Sequence, residues 1–196
     1  MIGATKRNLF WHFAAEDRRL CNCDRRKIIV GRTLKVKPPI KLCESGLHAS
    51  YHAMDALAYS SGPIICRVRM GGGFIAGDDK VVASERTTLA IADATTVLHE
   101  FACWCAERAL TAAGVKDERC WSAVEVKRQW LRGEANEKDL AAAWSAAKSA
   151  ADLEAQAEAN SAEYSVALEV ALEVAYAAQN TQLESVLKQL LSRNYA

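Results

Sequence analysis

The strongest constraint on the fold of this chain is a change of pattern near residue 93. Before it, apolar and polar residues alternate in short runs punctuated by glycine and proline; after it, apolar residues recur at helical spacing and alanine dominates from Ala141 to Ala178. A period of two buries one face of a strand, and a period of 3.6 buries one stripe of a helix. The two patterns in succession predict an α+β protein with segregated elements. We expect a small mixed or antiparallel sheet with a central helix in a basic domain over residues 1–93. An acidic, alanine-rich helical bundle or hairpin is expected over residues 94–196. Alanine favours helix and allows close helix contacts but buries little apolar area per residue. The second region therefore needs a partner surface, either the sheet or another copy of the chain.

Charge follows the same division. Lys and Arg number 15 against 9 Asp and Glu through Leu98, and 10 against 15 beyond it. A basic half suits an acidic surface, a phosphate-bearing ligand or nucleic acid, and the acidic half can equally serve as its internal counterpart. The seven cysteines are odd in number, and Cys103, Cys105 and Cys120 fall in helical stretches. That usage reads as reduced thiols in a cytoplasmic protein rather than a secreted disulfide framework. No apolar run approaches the roughly 18 to 20 residues that cross a bilayer, and the start MIGATKRNLFWHF reaches charge early. A soluble, cytoplasmic protein without membrane contact is expected.

Along the chain, residues 9–14 (LFWHFA) read as a strand or buried turn. IIVG and RTLKV read as a strand with Gly31 at a turn or bulge, ended by Pro38-Pro39. Residues 40–43 predict a short strand before the turn Glu44-Ser45-Gly46. From Ser50, the stripe Ala53, Met54, Leu57 and Ala58 predicts a helix capped by Ser50 or Ser45. Ile64 to Met70 alternates as a strand, Gly71-Gly72-Gly73 permits a reversal or a close backbone approach, and VVASERTTLAI gives one or two more strands. Helices are expected from Asp93 or Thr95 to Gly114 and around Trp121 to Trp130. Two helices separated near Asn160-Ser161, or one long helix, come next. The chain finishes on a stripe of Leu183, Val186, Leu187, Leu190 and Leu191.

Three constellations can carry chemistry. Cys21, Cys23, Cys43 and His48 are ligand types that suit zinc, but the C-x-C bite is tight and the other pair is split across a turn, so no metal is expected. Cys43 beside His48 or His52, with Asp55 as orienter, has the composition of a thiol nucleophile and its base. Arg18, Arg19, Arg25, Arg26, Lys27, Arg32, Lys35, Lys37 and Lys41 form a basic face that can contact phosphates, with no nucleic-acid-reading motif beside it.

Residues 44–73, ESGLHASYHAMDALAYSSGPIICRVRMGG, resemble the core of ADP-ribosyltransferases of the histidine-tyrosine-glutamate class. In that family a glycine-led strand enters a helix bearing a tyrosine, and another sheet strand follows. The resemblance, over about residues 9 to 90, implies NAD as cofactor. It places His12 on the nicotinamide ribose, Tyr59 against nicotinamide, Gly46 and Ser50 in the cofactor-binding segment, and Glu85 as the catalytic carboxylate. A second resemblance runs almost end to end: KLCESGLHAS, DALAYSSG, ICRVRMGG, DDKVVASERT and the alanine-rich close are similar to uncharacterised bacteriophage and prophage proteins. It implies a phage-encoded accessory protein in the bacterial cytoplasm. Such a protein would act by protein–protein interaction on a host protein or ribonucleoprotein complex, inhibition of a host defence complex being one such role. That is the leading expectation and involves no cofactor; NAD-dependent ADP-ribosyl transfer to a protein or nucleic acid and nucleic-acid binding are the alternatives.

Overall fold

The computed structural model of the protein describes residues 9–20, 24–158 and 165–193; for 151–158 and 165–174 it describes the helical backbone alone. The described residues form an antiparallel five-stranded sheet and five helices, an α+β fold. The chain divides into two compact units. One runs through Thr95 and resumes at Ala178; the other spans Thr96–Ala177.

In the first unit the long hairpin β4 (Ile64–Ala76) and β5 (Val81–Asp93) is the frame. Its turn is Gly77-Asp78-Asp79, closed by the Gly77 amide donating to the Lys80 carbonyl at 2.8 Å. β1 (Leu9–Ala14) pairs with β4, while β2 (Thr33–Lys35) and β3 (Leu47–Ala49) share the other edge of β5. Just past β3, Ser50 exchanges two backbone hydrogen bonds with Trp11 of β1, at 2.8 and 2.9 Å. The order β1, β4, β5, β3 therefore closes back on β1, and the sheet curls around an interior.

Alternation sets what faces that interior. His12 lies opposite Cys66, and Arg86 lies opposite Met70 and Leu34. Cys66, Val68 and Met70 share one face of β4 and join Phe10, Ala14 and Leu34 in the core, so His12 and Arg86 share that face too. Trp11 and Phe13, both buried, take the opposite face. There the Trp11 indole donates to Glu184 at 3.2 Å, and the Arg67 guanidinium lies 4.1 Å from the Trp11 ring centroid.

α1 (Ala53–Ala58) lies against β1 and buries Ala53 and Ala56. Met54 and Leu57 of the expected stripe are half-buried and Ala58 is exposed. Its N-cap is His52 without a side-chain bond, not a serine: Ser50 is buried in the bridge to Trp11, and the Ser45 hydroxyl donates to the Pro39 carbonyl. Residues 40–43 are no strand. Lys41 bridges to Ser45 across a tight turn in which Cys43 has φ +66°. Gly71-Gly72-Gly73 does not reverse the chain but continues β4 through an irregularity. There a Cβ on Gly72 would meet the Ser84 hydroxyl oxygen at 2.2 Å.

α5 (Ser165–Arg193) ends in the first unit. Leu183 and Leu187 are wholly buried, and the Asn180 side-chain oxygen accepts from the Met54 amide at 3.2 Å. The chain first crosses between units at Thr95/Thr96, and the last helical turns group with the sheet rather than with the other helices.

The second unit contains α2 (Thr95–Ala112) from its second residue, α3 (Glu118–Leu131), α4 (Glu137–Glu158) and the start of α5. Asp117 caps α3 by accepting from the Arg119 amide, and Gly133, at φ +76°, follows its end. Arg128 of α3 grips the Glu107 carboxylate of α2 with two guanidinium nitrogens. The expected break at Asn160-Ser161 lies outside the described residues.

Candidate functional site

The interior of the curled sheet opens as a cavity of about 690 Å³. Four residues marked by the first resemblance, His12, Gly46, Ser50 and Tyr59, line it together with His48, Lys80 and Arg86. Each is placed by a different local device. His12 is held by the β1–β4 register. Gly46 turns the chain into β3 at φ +125°, where a Cβ would stand 2.3 Å from Val82 Cγ2. Only glycine meets both demands. Ser50 is fixed by its bridge to Trp11, and Tyr59 by its position at the C-terminal end of α1.

Arg86 dominates the electrostatics. It is 2% exposed, and its Nη1 donates to the His48 carbonyl at 2.6 Å. Burial, then Arg86, then His48 hold His12 well below the usual histidine pKa. Burial, Arg86 and Lys80 lower His48 in the same way. Both imidazoles are therefore neutral near pH 7, and the charge they feel is positive. Cys66, across the register from His12, is pushed by burial up to about 12, so its thiol stays protonated and inert.

At the rim Tyr59 is 53% exposed, and its hydroxyl donates to Asp79. The Lys80 ammonium lies 3.8 Å from the Tyr59 ring centroid. Hydrogen bonding to Tyr59, then to Cys43, raises the Lys80 pKa.

Glu85 is not brought to this cavity. Its register partners are Lys35 and Gly71, one residue out of step with those of Arg86, so its side chain leaves the opposite face of β5. There it accepts from the Lys35 ammonium at 2.8 Å. Among the described residues, the carboxylates that do line the cavity are Asp24 and Glu44, paired with Arg26 and Lys41 respectively.

The other constellations assemble only in part, Cys43 and His48 lining the same cavity. Cys43 is exposed, and its backbone amide, not its thiol, donates to His48 Nε2 at 3.1 Å. His52 contacts Asn180 of α5, 3.3 Å from its Nδ1, rather than Cys43. Cys21 and Cys23 lie outside the described residues. Among the described residues no three His, Cys, Asp or Glu side chains gather as metal ligands. Of the basic face, Arg25, Arg26, Lys35 and Lys41 form ion pairs with Asp17, Asp24, Glu85 and Glu44. Among the described residues no helix is long and apolar enough to cross a membrane.

Fold and site together define an α+β protein whose curled antiparallel sheet forms a cavity lined by a buried arginine. Set against family models, curated proteins and solved structures, the chain matches none of them.

Proposed function

We propose that the sheet unit is an ADP-ribosyltransferase-like module that binds a nucleotide of the NAD class in its cavity. The observation that carries this reading is that His12 of β1 lines one cavity with Gly46, Ser50 and Tyr59 of a later segment of the chain. A volume of about 690 Å³ suits a ligand of nucleotide size. The residues fit the group. The buried Arg86 guanidinium favours the negative pyrophosphate, the neutral His12 ring offers a donor and an acceptor to ribose hydroxyls, and Tyr59 presents a planar face to a heteroaromatic ring.

Bound NAD would supply an electrophilic ribosyl carbon. Transfer then calls for a carboxylate beside developing positive charge. With Glu85 on the other face of β5, the proposal stops at binding. Titration of NAD and of ADP-ribose into the purified protein tests it. Saturable binding that Tyr59→Ala weakens about tenfold supports the reading; a folded protein that binds neither ligand overturns it.

A second reading is favoured by the helical unit. Trp144 is 71% exposed beside an apolar groove of about 810 Å³ lined by Ala106, Leu110, Val124 and Leu140. An exposed tryptophan beside apolar surface is the composition of an interaction anchor. This supports a phage-like accessory protein that contacts a host complex, a defence complex among the candidates. A saturable host partner whose capture is lost in Trp144→Ala would support this reading, whereas equal capture by the variant would contradict it.

A further inference from the structure

We infer that Lys80 is the specificity-determining residue of the cavity mouth, selecting ligands in which a negative charge accompanies the ring placed on Tyr59. The inference rests on the nucleotide reading of the cavity and assigns a residue that the sequence resemblance leaves without a role.

Three observations meet at this point. The Lys80 ammonium lies over the Tyr59 ring, 3.8 Å from its centroid, and so occupies one face of the platform that a cationic or electron-poor ring would use. Tyr59 is held from its far end, its hydroxyl donating to Asp79, so the ring does not turn aside freely. Lys80 and Tyr59 both line the cavity whose interior holds Arg86.

A cationic ring that approaches the covered face meets a like charge and must displace a cation–π contact. A ring that arrives with a phosphate brings its own compensation: the phosphate draws the ammonium off the tyrosine and pairs with it, and the platform is released. In the free protein the lysine thus guards the ring, and in the complex it becomes an anion ligand. Such a device raises discrimination by penalising the wrong ligand as well as rewarding the right one.

The experiment titrates two halves of the NAD structure into full-length protein. N1-methylnicotinamide carries the cationic ring without phosphate, and ADP-ribose carries the pyrophosphate without the nicotinamide ring. Wild type, Lys80→Ala and Lys80→Arg are compared, with thermal unfolding confirming an intact fold. Lys80→Ala is expected to tighten methylnicotinamide about fivefold and to weaken ADP-ribose about fivefold, with Lys80→Arg restoring ADP-ribose binding.

If wild type binds ADP-ribose but Lys80→Ala leaves both ligands within about twofold, or moves both in the same direction, the lysine inference falls and the nucleotide reading stands. If wild type binds neither ADP-ribose nor NAD, both fall together.

Discussion

At the scale of single residues, the cavity depends on positions whose chemistry is fixed by what surrounds them. Gly46 combines φ +125° with a neighbour 2.3 Å from any added Cβ. Gly46→Ala should therefore cost about 2 kcal/mol or more, read as a lowered thermal midpoint. Glu85 makes a surface ion pair with Lys35. Glu85→Gln is expected to change stability by less than about 1 kcal/mol and to leave nucleotide binding unchanged, as equilibrium unfolding and titration would show.

The histidines set a pH dependence. His12 and His48 are depressed in the folded protein, so below the ordinary histidine pKa the unfolded chain binds protons that the folded chain refuses. Stability should then fall as pH drops below about 6.5, by up to about 1.4 kcal/mol per pH unit for each histidine. The loss stops once the folded pKa is passed. Denaturant unfolding at pH 7.5, 6.5 and 5.5 checks this, and His12→Gln should flatten the slope.

At the scale of elements, legibility followed physical cause. The β4–β5 hairpin was legible in part: Ile64 to Met70 alternates, whereas the apolar ends and polar middle of VVASERTTLAI do not, and Gly71-Gly72-Gly73 masks the continuation of β4 to Ala76. α2 and α3 were legible because their stripes and breaks are clear. Residues 40–43 were not, because a turn that holds Cys43 at φ +66° leaves no signature in side-chain polarity. Arg86 was hidden for a different reason. An arginine in a strand defaults to the surface, and only its alternation with the buried Ser84 and Thr88 signals an inward side chain. The same alternation separates Glu85 from the cavity, although the two residues are adjacent in sequence.

The final leucine stripe was legible as a helix face, but periodicity does not say which surface covers it. Leu187 is wholly buried within the sheet unit. Leu187→Ala should destabilise the protein by about 2 to 5 kcal/mol, as measured by denaturant unfolding.

At the scale of the whole molecule, the sheet unit is discontinuous in sequence, since the chain leaves it after Thr95 and returns at Ala178. The helical unit is therefore an insertion in sequence between the sheet and the helix end that groups with it. The cavity belongs to the first unit and the exposed Trp144 to the second.

The most direct measurement is a calorimetric titration of NAD into wild-type protein, Tyr59→Ala and Glu85→Gln side by side. Saturable binding to wild type, weakened about tenfold by Tyr59→Ala and unchanged by Glu85→Gln, is the predicted result. Absence of saturable binding to the folded wild type, or equal loss in the two variants, would contradict it.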